Sequence, residues 1–308
     1  DWTSIQGNFG PRGGIEDLSH LRRYNRIEDF LADADVDLVD ICLPVQLHKT
    51  VSIAALEAGK HVLVEKPISI RLSDATEMVE VGKASGRRFM VAHVLPFFAE
   101  FAYAKNAVES GDYGQLVAAH FKRVTSKPKK AYDLEELERS GGPGIDLHIH
   151  DTHFVQLLCG VPDAVFSRGI LAAGNFAESL TTQYIYNDRD LSISCSSGGM
   201  SQSGRAFTHG FEIYLEKATL LYEFATLGGQ PVTSMPLTLL TEAGEVQQVD
   251  LGETGPIDAF TDEIQYAVDA IESGYEPTAL SAAGARDALS LCYKEAESVK
   301  TGQIVSVS

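Results

Sequence analysis

A parallel α/β sheet wound with helices on both faces, followed by an α+β unit built on a large, mostly antiparallel sheet, is the fold class the sequence predicts. Three observations carry it. Between residues 36 and 94, short β-branched runs alternate with alanine-rich helical stretches. Beyond residue 163, strand-like segments separated by turn residues dominate, and two long helical patterns then close the chain before Gly274 and Gly302. Alternation of strand and helix implies parallel pairing, whereas strands joined by short turns imply hairpins.

Each element has a local reason. Residues 27–34 have helical spacing. The run Val36-Asp37-Leu38-Val39-Asp40-Ile41-Cys42-Leu43, stopped by Pro44, suits a buried strand followed by a turn. Residues 48–58 form an alanine-rich helix with Gly59 just past its end; residues 61–64 are a second strand, 73–85 a helix closed by Gly86, and 88–94 a third strand. Ligands of such sheets bind beyond the carboxyl ends of the strands, so the loops after Leu43, Val64 and Val94 are where a site belongs. A helix over 97–110 leads through Gly111 to a strand over 116–125 and a basic stretch with Lys127, Lys129 and Lys130. Residues 184–186 and 191–194 flank a turn at Asn187 and Asp188, and 211–215 and 220–224 flank another near Lys217. Helices over 257–272 and 282–300 follow. The length, 308 residues, suits two domains, which we place at 1–94 and 95–308.

Composition narrows the partners. With 25 Lys and Arg against 43 Asp and Glu the net charge is −18, which disfavours nucleic acid, whose phosphates need a basic surface. No apolar run reaches the length of a spanning helix, so no membrane partner is expected. Cys42, Cys159, Cys195 and Cys292 are scattered, matching neither a zinc knuckle nor a disulfide framework, and suit a reducing cytoplasm. The chain opens on Asp1 in a polar, glycine-rich stretch, and a missing upstream segment is expected.

The chemistry gathers first at Gly59-Lys60-His61-Val62-Leu63-Val64-Glu65-Lys66-Pro67, which sets a charged pair and a proline directly after a buried strand. Glu65 and Lys66 could be a surface ion pair of little energetic weight. Alternatively, Lys66 directs its ammonium into the ligand crevice. The preceding strand carries Pro44-Val45-Gln46-Leu47-His48, and the whole run 37–67 resembles the glucose-fructose oxidoreductase, inositol dehydrogenase and rhizopine-catabolism (Gfo/Idh/MocA) family. The run Gly141-Gly142-Pro143-Gly144-Ile145-Asp146-Leu147-His148-Ile149-His150-Asp151 resembles that family's Gly-Gly, Asp and His element, and the tail 282–305 its closing helix and strand.

The resemblance, which covers nearly the whole chain, implies a Rossmann-type N-terminal domain, NAD or NADP as cofactor, and a sugar or cyclitol substrate. It also implies a C-terminal domain on an open sheet through which a homodimer or homotetramer forms. It maps the catalytic lysine, aspartate and histidine onto Lys66, Asp146 and His150, and cofactor contacts onto Pro44, Gln46, His48, Glu65 and Lys66.

The second element has a physics of its own. If residues 145–159 form one helix, Asp146 and His150 stand at i and i+4 on a shared face, with His153 three further on. A histidine beside a carboxylate can accept a proton from a substrate hydroxyl near neutral pH. The carbon then loses hydride to the nicotinamide, and Lys66 can stabilise the negative charge developing on oxygen. His148, His150, Asp151 and His153 could instead form a hydrolytic metal site. On a helix, however, His148 points roughly 200° away from His150, so all four cannot converge, whereas on a strand residues two apart would share a face; no metal is expected.

Departures from the family temper these expectations. No G-x-G-x-x-G follows a strand before Asp37; Gly7, Gly10, Gly13 and Gly14 have no strand ahead of them. The Rossmann sheet is therefore expected to be incomplete, lacking its first strand and glycine loop. Asp1 would then lie just past the second strand, and NAD versus NADP stays open. Pro96-Phe97-Phe98-Ala99-Glu100 stands where many relatives carry an arginine and a proline, and His153 where an acid is common. Arg123, Lys127 and Tyr184 either face the crevice or are solvated and sheet-face residues. The acidic charge favours neutral sugars over sugar phosphates unless a local basic patch offsets it. The sequence thus reads as a nicotinamide-dependent sugar or cyclitol dehydrogenase. The alternatives are a nicotinamide-dependent glycosidase or lyase using transient oxidation, and a non-catalytic sugar-binding relative.

Overall fold

The computed structural model describes residues 19–127 and 133–307; Asp1, Gly7, Gly10, Gly13, Gly14, Lys129 and Lys130 lie outside them. After a short helix α1 (Ile27–Leu31), the strands β1 (Leu38–Ile41), β2 (His61–Glu65) and β3 (Phe89–Ala92) alternate with helices α2 (His48–Glu57) and α3 (Leu72–Ser85). The three strands pair in parallel in the order β1-β2-β3. Both faces of this sheet are covered, which is why Val62, Leu63 and Val64 are all buried rather than alternating.

Helix α4 (Ala99–Ser110) leads into the long strand β4 (Leu116–Ser126). Three helices follow: α5 (Leu134–Ser140), α6 (Pro143–Asp146) and α7 (Ile149–Cys159). Then come β5 (Ala164–Leu171), β6 (Ala177–Ile185), β7 (Ser192–Met200), β8 (Arg205–Leu215), β9 (Ala218–Leu227), β10 (Gln230–Thr241) and β11 (Val246–Gln248). Helices α8 (Pro256–Ser273) and α9 (Ala282–Thr301) and the short strand β12 (Val305–Ser306) end the chain. The second sheet runs β11-β10-β9-β8-β4-β7-β6-β5-β12, and only the β4–β7 pair is parallel. Its central strands alternate over residues 119–122, 193–196 and 211–213. Ala119, Phe121, Ile193, Cys195, Phe211 and Ile213 face the core, whereas His120, Lys122, Ser194, Ser196 and Glu212 face a polar outer cavity of about 510 Å³. Phe101 of α4, fully buried, is the hub of the inner face, with ring centroids 5.1 Å from Phe211 and 5.2 Å from Phe154.

The last two long helices return to the first sheet. Ala282, Ala285, Ala288, Leu289 and Cys292 of α9 pack with Val39, Ile41, Val62 and Val64, while Ala267 of α8 packs against Leu63 and Met90. The opposite side of α9 lies on β5, so one helix ties both sheets together. Residues near the C-terminus therefore complete the core of the N-terminal unit, an exchange that a linear division at residue 94 does not capture.

The helix expected over residues 145–159 is broken. The amide of His148 donates to the carbonyl of Pro143 at 3.0 Å, five residues back, and the amides of Asp151 and Thr152 both donate to His148 at 3.1 Å. This wide turn followed by a tight one separates α6 from α7, so Asp146 and His150 are not one helical turn apart on a common helix. The entry to α6 also explains the glycines before it. Gly141 and Gly142 have φ of 78° and 66°, and a Cβ on Gly144 would sit 2.7 Å from that of Ala177. A side chain at Gly144 would push α6 off β6.

Candidate active site

Where the two units meet there is a cleft of about 280 Å³. Glu65 and Lys66 enter it from the end of β2, Ala92 and Val94 from the end of β3, and Arg123 from β4. Asp146 and His150 come from the α6–α7 break, and Phe98, Phe207 and Phe260 form its apolar wall. The broken helix therefore still delivers both residues, through the turn rather than along a helical face.

Lys66 and Asp146 are bonded to each other. The Lys66 Nζ donates to Asp146 Oδ1 at 2.8 Å and to its carbonyl oxygen at 2.9 Å. Side-chain exposure is 19% for the lysine and 58% for the aspartate, so water screens the pair and it adds little to stability. Its effect is positional: it aims the ammonium across the cleft.

His150 is partly buried, with Nδ1 enclosed and without a partner, while Nε2 makes no hydrogen bond among the described residues. Burial first, and then the charges of Lys66 and Arg123, hold its pKa well below the ordinary 6.5, so the ring is neutral. Behind it, His93 and His153 are stacked with centroids 3.9 Å apart and planes 8° apart, and both are buried. Burial takes His153 down to about 4.

The dense histidine run disperses rather than converging. His148 is fully buried; its Nε2 lies 2.9 Å from Glu295 of α9, and its Nδ1 lies 2.8 Å from the Ser197 hydroxyl. Burial opposes its charged form, but Glu295 outweighs this and raises its pKa. Asp151 turns to Arg123, and His153 to His93. Among the described residues no group of three or more His, Cys, Asp or Glu side chains is arranged to hold a metal ion.

The predicted cofactor residues fall in two sets. Glu65 and Lys66 line the cleft. Pro44 opens the turn after β1, and Gln46 Nε2 donates to the Arg139 carbonyl of α5 at 2.9 Å. His48 stands apart: it is buried, with Nδ1 3.0 Å from the Pro67 carbonyl and Nε2 2.8 Å from that of Leu43. A neutral ring donates to one of these at a time, and neither nitrogen is left for a ligand. His48 thereby ties together the loops that follow β1 and β2. Lys127 pairs with Glu178 at 2.8 Å, and Tyr184 is buried with its hydroxyl 3.1 Å from that of Thr152, so of the three undecided residues only Arg123 reaches the cleft.

Sequence reasoning offers no ground for singling out Glu263 of α8. It is 3% exposed, and its Oε1 has no partner. Burial first, then the charges of Glu65 and Asp40, push its pKa up to about 9. It therefore stands, protonated, behind the carboxyl ends of β1 and β2.

A crevice beyond the ends of parallel strands, with a lysine presented at its mouth, suits the nicotinamide end of a dinucleotide. No glycine-rich phosphate cradle occurs among the described residues. Residues 14–93 match the family model described as "Oxidoreductase family, NAD-binding Rossmann fold", and residues 101–221 match the GFO/IDH/MocA C-terminal domain. The chain belongs to the Gfo/Idh/MocA oxidoreductase family.

Among relatives, it is 34% identical over 183 residues to 2,7-anhydro-N-acetylneuraminate hydratase of Escherichia coli K12, covering 58% of this chain and 48% of that protein. It is 29% identical over 231 residues to 1,5-anhydro-D-fructose reductase of Ensifer adhaerens, covering 72% and 66%. The chain thus spans about half to two thirds of the length of these curated relatives. A levoglucosan dehydrogenase solved with NADH and levoglucosan superposes with a TM-score of 0.72 over 92% of this chain and 83% of that one, at 19% identity, a likeness of fold. The family's dinucleotide is NAD, and its two-domain architecture is the one seen here.

Proposed function

We propose that the protein is a nicotinamide-dependent oxidoreductase acting on a hydroxyl carbon of a sugar or cyclitol. The observation that carries this reading is the meeting of Lys66, Asp146 and His150 in one cleft at the strand ends. Glu65 and Lys66 would hold the nicotinamide end of NAD or NADP there. The turn after β1, with Pro44 and Gln46, would flank it, and His48 would keep that turn in place. When bound, the cofactor supplies the hydride acceptor.

The protein's own residues handle the proton. His150, kept neutral by burial and by Lys66, accepts the hydroxyl proton at Nε2. Lys66 donates a hydrogen bond to the substrate oxygen as negative charge grows on it, and Asp146 fixes the lysine for that task. Phe98, Phe207 and Phe260 shed water from the cleft and so strengthen both interactions. The test is reduction of NAD+ or NADP+ across a panel of sugars and cyclitols by the protein and its Lys66→Ala variant. Turnover that is lost in the variant supports the reading, and turnover that survives overturns it.

The likeness to a protein named a hydratase favours a second reading of the same site, in which oxidation is transient and water is added or removed overall. Substrate conversion in excess of the cofactor supplied, with no net reduced cofactor, would distinguish it. Assembly of two or four copies through the outer face of the second sheet, around His120, Lys122 and Glu212, belongs to the same proposal and is checked by light scattering.

A further inference from the structure

Arg123 is almost enclosed, at 5% exposure, yet it borders the cleft opposite the strand ends. Its Nε donates to Asp151 Oδ2 at 2.8 Å and its Nη2 to Oδ1 at 3.1 Å, and Asp151 is itself fully buried. The carboxylate thus takes the side edge of the guanidinium. The Phe207 ring lies 5.9 Å from its Cζ and limits how far the head group can turn. Nη1 makes no hydrogen bond among the described residues, and neither does the second N–H of Nη2. These donors form the outer edge of the same planar group.

Three physical points decide what such an edge takes. Guanidinium N–H groups that open on a cleft walled by Phe98, Phe207 and Phe260 gain more from a charged acceptor than from water, so the edge suits an anion. Two parallel N–H groups match the two oxygens of a carboxylate better than a single hydroxyl, which accepts from only one of them. A doubly charged phosphate is disfavoured, because Glu65 and Asp146 line the same cleft, Asp151 sits behind the arginine, and the whole chain carries −18. A singly charged, planar acid remains.

We infer that Arg123 is a specificity residue whose free guanidinium edge binds a carboxylate carried by the sugar or cyclitol substrate. The inference rests on the reading of the cleft as a sugar site, and it narrows that site to sugar acids. Asp151 is its positioning residue, since it fixes the edge that faces the ligand. Anchoring at Arg123 leaves the hydroxylated part of the substrate in the portion of the cleft that Lys66 and His150 border.

The test is binding, measured by calorimetry or saturation-transfer NMR on the whole chain, with D-glucuronate against D-glucose and D-galacturonate against D-galactose. The wild type is expected to bind each acid about tenfold or more tighter than its neutral counterpart. Arg123→Lys keeps a cation for Asp151 but loses the fork, and it should cut that preference to about threefold or less. If the lysine variant does not fold, Arg123→Met combined with Asp151→Leu removes both buried charges together and should abolish the preference. A wild type that binds no acid better than its neutral partner, or that binds none of the four, overturns the inference. So does an undiminished preference in either folded variant. Cofactor reduction is not the readout, so the two proposals fail separately: acid preference without turnover counts only against the redox reading, and turnover without acid preference only against this one.

Discussion

Replacing Glu263 with glutamine should stabilise the protein, and by an amount that grows with pH. The acid is 3% exposed and its pKa rises from the ordinary 4.5 to about 9, first through burial and then through Glu65 and Asp40. Between those two values the folded state holds a proton that the unfolded chain has released. Stability therefore falls as pH rises through this window, the reverse of the usual carboxylate case. At 1.36 kcal/mol for each unit, the burden is roughly 3 kcal/mol at pH 7 and approaches roughly 6 kcal/mol at pH 9. Glutamine keeps the shape and a donor but has no proton to lose. Urea denaturation of both proteins at pH 5, 7 and 9 gives the comparison, and contributions from other groups cancel in the difference. The gap should be about 1 kcal/mol or less at pH 5 and widen steadily above it. Parallel stability curves across that range would refute a buried, protonated Glu263.

Three further outcomes follow from the same geometry. Lys66→Ala should lower kcat/KM by about a hundredfold or more while shifting stability by less than about 1 kcal/mol, because the Lys66–Asp146 pair is screened by water; paired kinetics and melting curves check both halves. The acid limb of the oxidation rate should have its midpoint below pH 6.5, since His150 stays neutral there, and His153→Asp should move that midpoint up by placing a carboxylate behind the ring. Glu295→Ala should cost about 3–5 kcal/mol by leaving His148 buried without its partner. In the wild type, the stability from that pair is complete below the unfolded histidine pKa near 6.5 and is lost as pH rises through the raised folded value, which denaturation at pH 6 and pH 8 would detect.

What was legible in the sequence was local. The run from Val36 to Pro67 announces two buried parallel strands because its hydrophobic stretches are short, β-branched and stopped by proline or glycine, and β1 and β2 lie within it. The hairpins near Asn187 and Lys217 follow from turn residues set between alternating segments. The break after Asp146 was hidden, because nothing between Leu147 and His150 is a helix breaker; it arises where the small residues of α6 pack against β6. Arg123 and Asp151, 28 residues apart, meet only when α7 lies across β4, so their pairing has no signature in the sequence. Glu263 sits on a helix whose polar residues look solvated until α8 folds back over the first sheet. His48 was marked by its place near the binding edge, and no motif reveals that both its nitrogens meet backbone carbonyls.

The most direct test of the central claim is titration of NAD+ and NADP+ into the protein, beside the same protein with Lys66→Ala. Saturable binding of one dinucleotide, weakened in the variant, is what the geometry of the cleft predicts. Absence of binding in both, or binding that is indifferent to Lys66, would contradict a nicotinamide-dependent site at the ends of β1 and β2.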